Sequence, residues 1–516
     1  MRPASRIPIA HTLTLLLMAA ASQATVIQVG TVSDAIAVDG RCTLREAVQA
    51  ANTDTTVNEC PGGTGPDIIE LFFTSTHVIS LAGNNEDLNQ TGDFDVRDDL
   101  TIRPEDPEAV VEIDAMGLDR VFEVFDGVNL TLERITVRGG NVVGFGGGIF
   151  SQQPTSEIRL DRSKVTNNLS TLFGGGIYSE GSLWLVDSSV ASNDSAFGGG
   201  VYMGTASPLN LLRSDLAAND STSDGGGANL LVLEATESSI NNNDADRHGG
   251  GLFFRNEGTG ADVSRLINSG VVENGSEEDG GGIYFDSPGT LDLFNATVAW
   301  NAADTDEDDV GNGGGILVAQ GTVRPQNSIF AANFDFSFGA GAVRAPDCSG
   351  AISAEGYNLF AAIDASVCTI SGDTTGQVTG TLGSPVDHDM GCPDPFGNMG
   401  RVVLPGDLSP ALDAGDPAGC AAPEGGELTV DQRGRLRPWD GPDPDLEARC
   451  DMGSVELDAP DATFVFADGF ESGDVLAWSS STSSGPKAGA ITSSESSSPT
   501  ATGWRVLALG GCEESS

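Results

Sequence analysis

Apolar residues in this chain come in short alternating bursts. Leu183-Trp184-Leu185-Val186 and Leu291-Asp292-Leu293-Phe294 carry the two-residue period of strands. These bursts are punctuated by a glycine triplet that begins at Gly146, Gly174, Gly198, Gly225, Gly249, Gly280 and Gly313, with gaps of 28, 24, 27, 24, 31 and 33 residues. An apolar pair follows most triplets, as in Ile149-Phe150, Ile177-Tyr178, Val201-Tyr202, Leu252-Phe253, Ile283-Tyr284 and Ile316-Leu317; Ala228-Asn229 breaks the series. Ahead of the triplets an aliphatic residue is followed three positions later by Asn: Val165/Asn168, Val190/Asn193, Leu216/Asn219, Ile240/Asn243, Val271/Asn274 and Val298/Asn301, continued by Phe330/Asn333.

Each unit therefore reads as strand, turn, strand, tight glycine turn, strand. No helical period is present, which excludes ankyrin-like and TPR-like arrays, and the marks of a propeller blade are missing. Stacking the units places like above like. The aliphatic positions form an inward column, the Asn positions a ladder at a bend, and the glycines sites of positive φ and close approach between rungs. The expected fold is all-β, a right-handed parallel β-helix (solenoid) with rungs of about 25 residues.

A solenoid needs capped ends. Thr43-Leu44-Arg45-Glu46 is a capping box, and Leu44, Ala47, Val48 and Ala51 share one helix face, with Asn52 as the stop. The spacing predicts a short N-terminal capping helix over 44–51. Cys42-Thr43-Leu44-Arg45-Glu46-Ala47 closely resembles the "CSLREA" motif of secreted bacterial β-helix repeat proteins, with Thr43 in place of Ser. Gly92-Asp93-Phe94-Asp95-Val96 and Gly117-Leu118-Asp119-Arg120-Val121-Phe122 are similar to the first rungs of such proteins. At the far end, Asp347-Cys348-Ser349-Gly350, Gly356-Tyr357-Asn358-Leu359, Ser409-Pro410-Ala411-Leu412-Asp413-Ala414-Gly415-Asp416, Asp431-Gln432-Arg433-Gly434 and Cys450-Asp451-Met452-Gly453-Ser454-Val455-Glu456 resemble a "choice-of-anchor Q" region. Related Gly-rich repeats occur in polymorphic outer-membrane proteins. The resemblance implies a secreted bacterial β-helix repeat protein.

Composition narrows the partners. With 25 Lys and Arg against 75 Asp and Glu, the formal charge is −50. Such a surface repels nucleic acid and anionic lipid. Arg2 and Arg6, the apolar run from Leu13 to Ala21 and Ser22-Gln23-Ala24 read as a secretory signal cleaved after Ala24. The run is short for a bilayer span, so the mature chain is expected to have no transmembrane segment. Eight cysteines suit an oxidising compartment. Short-loop pairing favours Cys42 with Cys60, Cys348 with Cys368, and Cys420 with Cys450, leaving Cys392 and Cys512. The expected organisation is a signal over 1–24, a cap over 25–62, β-helix repeats over 63–345, a C-terminal β-helix end and anchor-like region over 346–458, and a Ser-rich tail over 459–516. The expected location is extracellular or outer-membrane associated.

Candidate chemistry is mostly acidic. The rung between Asn301 and Gly313 carries an inserted loop, Asp304-Thr305-Asp306-Glu307-Asp308-Asp309, whose alternating carboxylates are hard ligands suited to calcium. Asp304, Asp306 and Asp308 are the candidate metal ligands, with Glu277-Glu278-Asp279 one rung earlier as added ligands. Asp440, Asp443 and Asp445 form a weaker candidate. β-Helices also host polysaccharide lyases and hydrolases of the pectate-lyase type. Adjacent acids at Asp98-Asp99 and Asp308-Asp309, His248, and the bases Arg138, Arg255, Lys164 and Lys487 are the residues such an activity would draw on. No catalytic residue is assigned. The expected role is binding or adhesion toward a polysaccharide or cell-surface glycan. The enzyme alternative requires exposed carboxylates and an Arg converging in one groove.

Overall fold

The computed structural model describes residues 24–457, apart from 84–85, 126, 340–343, 389, 391–393, 396–400, 407, 421 and 440–448. The signal segment before residue 24, the Ser-rich tail, Cys392, Cys512, Lys487 and Asp440, Asp443 and Asp445 lie outside the described residues.

The chain is a parallel β-helix. Each repeat lays down a strand after the glycine triplet, a second strand, a third strand bearing the aliphatic mark, and a two-residue fourth strand before the next triplet. Ile149–Ser151, Glu157–Asp161, Lys164–Thr166 and Leu169–Ser170 form one such set. Among the described residues the first two kinds of strand merge into one 20-stranded sheet, the third forms a 12-stranded sheet and the fourth an 8-stranded sheet. The merger happens where Ile283–Phe294 and Ile316–Gln326 run unbroken through both positions. The coil is longer than the glycine triplets mark. It opens with Val26–Val29 paired to Ile68–Leu71, and closes with Val378–Thr381 paired to Leu359–Ile363.

Register accounts for the repeat. Val165 stacks on Val190, then Leu216, Ile240, Val271, Val298, Phe330 and Phe360 in direct succession. All eight are fully buried, each worth about 1.5–3 kcal/mol for leaving water. At the bend after this column runs the asparagine ladder. Asn193 Oδ1 accepts from both the backbone N–H and Nδ2 of Asn168, at 3.1 and 3.0 Å, and its own Nδ2 donates to Val165 O at 3.0 Å. The pattern repeats to Asn333, whose Nδ2 ends on Asp347 Oδ1 at 3.0 Å. Asp347 is wholly buried, and burial lifts its carboxyl to about 7.

A second ladder occupies the bend before the third strand. Ser188 Oγ accepts from the Ser163 N–H at 3.0 Å, Ser214 Oγ from Ser188 at 3.1 Å, and Ser238 Oγ from Ser214 at 3.1 Å. The residue ahead of each ladder position is left-handed, for example Asp187 and Ser192 at φ 48° and 57°. That conformation costs roughly 1–2 kcal/mol per non-glycine residue, and the ladder bonds on either side hold it in place. The third corner falls to glycine. Gly174 has φ 65°, and a Cβ on Gly175 would lie 2.3 Å from Asp194 O in the next rung.

The cap helix spans Leu44–Thr53, two residues past the Asn52-terminated helix expected from sequence, and ends at Asp54 in the left-handed conformation. The capping box is formed, with Glu46 N–H donating to Thr43 Oγ1 at 3.1 Å and Thr43 N–H to Glu46 Oε2 at 3.0 Å. Arg45 is completely buried because Asp34, Gly92 O and Asp93 O take its guanidinium. Disulfides join Cys42–Cys60, Cys348–Cys368 and Cys420–Cys450.

The described residues between 401 and 457 do not extend the coil. They fold back as a strap along the outside of the third column. Val403, Ala411 and Met452 pack with Val272, Ala299, Ile329 and Leu359. Gln432 Nε2 donates to Ser238 O at 2.9 Å and Asn268 Nδ2 to Val430 O at 2.6 Å.

Candidate functional site

Two outward rows flank the glycine corner. The residue before the triplet and the second residue after it face away from the core and stack in register: Phe145, Phe173 and Phe197 in one row, Phe150, Tyr178 and Tyr202 in the other. Ring centroids are 5.3 Å apart for Phe145–Phe173, 5.4 Å for Phe150–Tyr178 and 5.5 Å for Tyr178–Tyr202, whose planes differ by 5°. The rows interlock, with Phe173 at 4.5 Å from Tyr202. The result is a six-ring ridge.

A guanidinium closes each end of the second row. Arg120 lies 4.7 Å over Phe150 and Arg255 lies 4.5 Å over Tyr202, both within the range of cation–π attraction. This explains the broken repeat. Asn229 stands where an aromatic residue would fall, and its Oδ1 accepts from Arg255 Nη1 at 2.6 Å while Nη2 donates to Met203 O at 2.6 Å. Beyond that gap the rows resume as His248, Phe253 and Tyr284, with His248 and Tyr284 centroids 4.7 Å apart. Beside the ridge, at the corner entering the triplets, Val143 is 94% exposed and Leu172 44% exposed. Phe150 and Tyr178 are buried and the other four rings part-exposed, so Val143 and Leu172 are the most exposed apolar side chains at this corner.

The fourth strands carry charge instead. Leu169, Asp194, Asp220 and Asp244 occupy matched positions in four successive rungs. Burial and the neighbouring Asp220, Asp246 and Glu277 push Asp244 up to about 7. The row turns neutral at Gly275 and Ala302 before the inserted loop, where one oxygen each of Asp304, Asp306 and Asp308 lies within 4.8 Å of the others. Asp304 is buried, and its oxygens already accept from Ser337 Oγ at 2.8 Å and the Asp308 N–H at 3.0 Å. Asp306 and Asp308 are exposed. Glu277 faces this loop, its carboxyl raised by burial and by Asp246, Asp306 and Asp308. Glu278 instead pairs with His248 at 3.3 Å.

The remaining sequence candidates are dispersed. Arg138 bridges Glu112 and Asp114 at 3.2 and 3.0 Å. Asp99 Oδ1 accepts from the Asn129 N–H at 2.8 Å, and Asp309 Oδ1 from the Gly339 N–H at 2.5 Å. Lys164 is exposed on its strand. A second three-carboxylate group, formed by Asp93, Asp95 and Glu123, sits beside Arg120. Sequence reasoning did not single it out. Its signal was the alternation Asp93-Phe94-Asp95, which turns both acids to one side of a strand. Comparison of the chain with protein-family models, with curated proteins and with solved structures finds no match.

Proposed function

We propose that the protein is an exported or surface-associated scaffold that binds a polysaccharide through the aromatic ridge and does not transform it. The ridge carries this reading. Within the stack the ring faces are used by neighbouring rings and the Tyr178 hydroxyl donates to Glu180 Oε1 at 3.2 Å, so the surface offered outward is the part-exposed edges of Phe145, Phe173, Phe197 and Tyr202 and the aliphatic Val143 and Leu172. Such a strip offers a sugar chain apolar contact, and the adjacent row of Asp194, Asp220 and Asp244 supplies acceptors for its hydroxyls. The charge of −50 disfavours an acidic glycan, so the partner class is a neutral or amino-bearing one. Three disulfides support export, since such bonds persist in oxidising compartments. The resemblance at Cys42–Ala47 points the same way. No helix among the described residues is long and apolar enough to cross a membrane.

The test is calorimetric titration with neutral, amino-bearing and acidic polysaccharides. Binding is expected for one of the first two classes. The double variant Val143→Asp, Leu172→Asp should weaken it at least about tenfold, equivalent to about 1.4 kcal/mol, with the circular dichroism unchanged. Equal binding by the variant removes the ridge from the reading. Release of unsaturated or reducing ends from any of the polysaccharides would replace it with the lyase or hydrolase alternative.

A further inference from the structure

We infer that Asp93, Asp95 and Glu123 form a binding site for a calcium-like divalent cation at the seam between the cap and the first rungs. The strand Phe94–Val96 pairs in parallel with Phe122–Val124, and the register sets Asp95 directly opposite Glu123. Phe94, Val96, Phe122 and Val124 point into the core. Asp95, Glu123 and Asp93, two residues before Asp95, therefore share the outer side. One oxygen from each of the three lies within 4.8 Å of the others. Oxygen ligands at about 2.3–2.6 Å from a calcium ion span that separation.

The independent observation is an unsatisfied buried oxygen. Asp95 is fully buried; its Oδ2 accepts from the Asn89 N–H at 2.5 Å, while its Oδ1 has no hydrogen-bond partner. Asp93 is 3% exposed, and its Oδ2 also lacks a hydrogen bond, with only the Arg120 guanidinium at 3.5 Å. A buried carboxylate oxygen left in this state is costly. Charge leads to the same conclusion. With all three carboxylates ionised, as ligation requires, Arg120, which also pairs with Glu123, is one cation against three, an excess of two negative charges that one divalent ion balances. Asp119 and Glu86 add negative potential, and Arg97 offsets part of it. Without a cation, burial and the neighbouring carboxylates raise Asp93 to about 8 and Asp95 to about 7.

The ligands are all oxygens, the preference of a hard cation, and a crowded carboxylate set suits calcium better than magnesium, which holds its waters and demands octahedral geometry. Position gives the ion a role. Arg45 of the cap helix donates to Asp93 O at 3.0 Å, and Asn52 Nδ2 donates to Asp95 O at 2.6 Å. An ion shared by Asp93, Asp95 and Glu123 would tie that helix to the rung just ahead of the aromatic ridge.

The experiment is titration of the full chain with calcium and with magnesium at equal ionic strength, followed by calorimetry and by melting temperature. Calcium is expected to bind and to raise the melting temperature through linkage, with magnesium at least tenfold weaker. Asp95→Asn should weaken calcium binding at least tenfold. In chelator at pH 8 it should melt no lower than the parent, because it removes a buried charge. Glu123→Gln, at a half-buried position, repeats the test should Asp95→Asn fail to fold. Asp306→Ala should leave this binding intact. Calcium and magnesium acting alike, undiminished calcium binding in both seam variants, or loss of binding in Asp306→Ala alone would each overturn the inference.

Discussion

Asn219 shows how much one side chain carries in a parallel coil. Its Oδ1 accepts from the N–H and Nδ2 of Asn193 at 3.1 and 3.0 Å, and its Nδ2 donates to Val190 O at 2.9 Å and Asn243 Oδ1 at 3.0 Å. Parallel strands turning a tight corner leave these backbone groups facing inward with no water to meet them. Substituting Asn219→Leu orphans the Asn193 N–H and Val190 O, each costing about 1–3 kcal/mol. The expected loss is about 3–5 kcal/mol in urea denaturation; a loss under about 1 kcal/mol would mean the corner re-pairs with water. The serine ladder is the lighter version of the same device, since one hydroxyl accepts from the preceding rung's N–H and donates to the carbonyl two residues back, as Ser214 Oγ does from Ser188 at 3.1 Å and to Leu212 O at 2.9 Å.

At the scale of elements, a buried arginine knits the strap together and joins it to the coil beside its apolar face. Arg437 donates to Glu456 Oε2 at 2.8 Å, Asn268 Oδ1 at 2.7 Å, Gly453 O at 2.8 Å and Asp451 O at 3.0 Å. Removing one partner of a buried pair costs about 3–5 kcal/mol. Arg437→Met is therefore expected to undock the strap while the coil stays folded: proteolysis should cut within 401–457, and far-ultraviolet dichroism should remain that of strands. Simultaneous loss of both signals would make the strap part of the coil's own stability. The rungs were legible in the sequence because their geometry repeats: glycine, aliphatic and Asn marks recur at one period, and the capping box is a local pattern. The serine ladder was also written there, two residues before each aliphatic mark, but Ala296 interrupts it and serine is common in turns. The strap was illegible, since Asn268 and Val430 meet across 162 residues with no shared period. The seam carboxylates were hidden for a related reason. Asp95 and Glu123 come together through register, and no spacing along the chain announces that pairing.

For the whole molecule, the buried acids set an unusual response to pH. Asp215, Asp244 and Asp347 are raised to about 7 by burial, and Asp279 to about 6. The folded state therefore holds protons that the unfolded chain, with ordinary carboxyls near 4, has released. Stability contributed by these groups is present at low pH and is lost as pH rises through their folded values. His77 and His248 oppose this below about 6.5, because burial holds both near 4 and the unfolded chain protonates first. Scanning calorimetry in chelator should find the melting temperature rising as pH falls from 8 to about 5, less steeply below about 6.5; a steady fall over that interval would contradict the burial of these acids. The strap has a consequence for inheritance as well. It grips the third column from Ser238 onward, so one extra rung beneath it would slide each later contact by about 4.8 Å out of reach. The strap hydrogen bonds at Gln432 and Val430 begin at Ser238, beyond Gly225. Gain or loss of a repeat between Gly146 and Gly198 is therefore the change expected to lengthen or shorten the aromatic ridge while the C-terminal half keeps its shape.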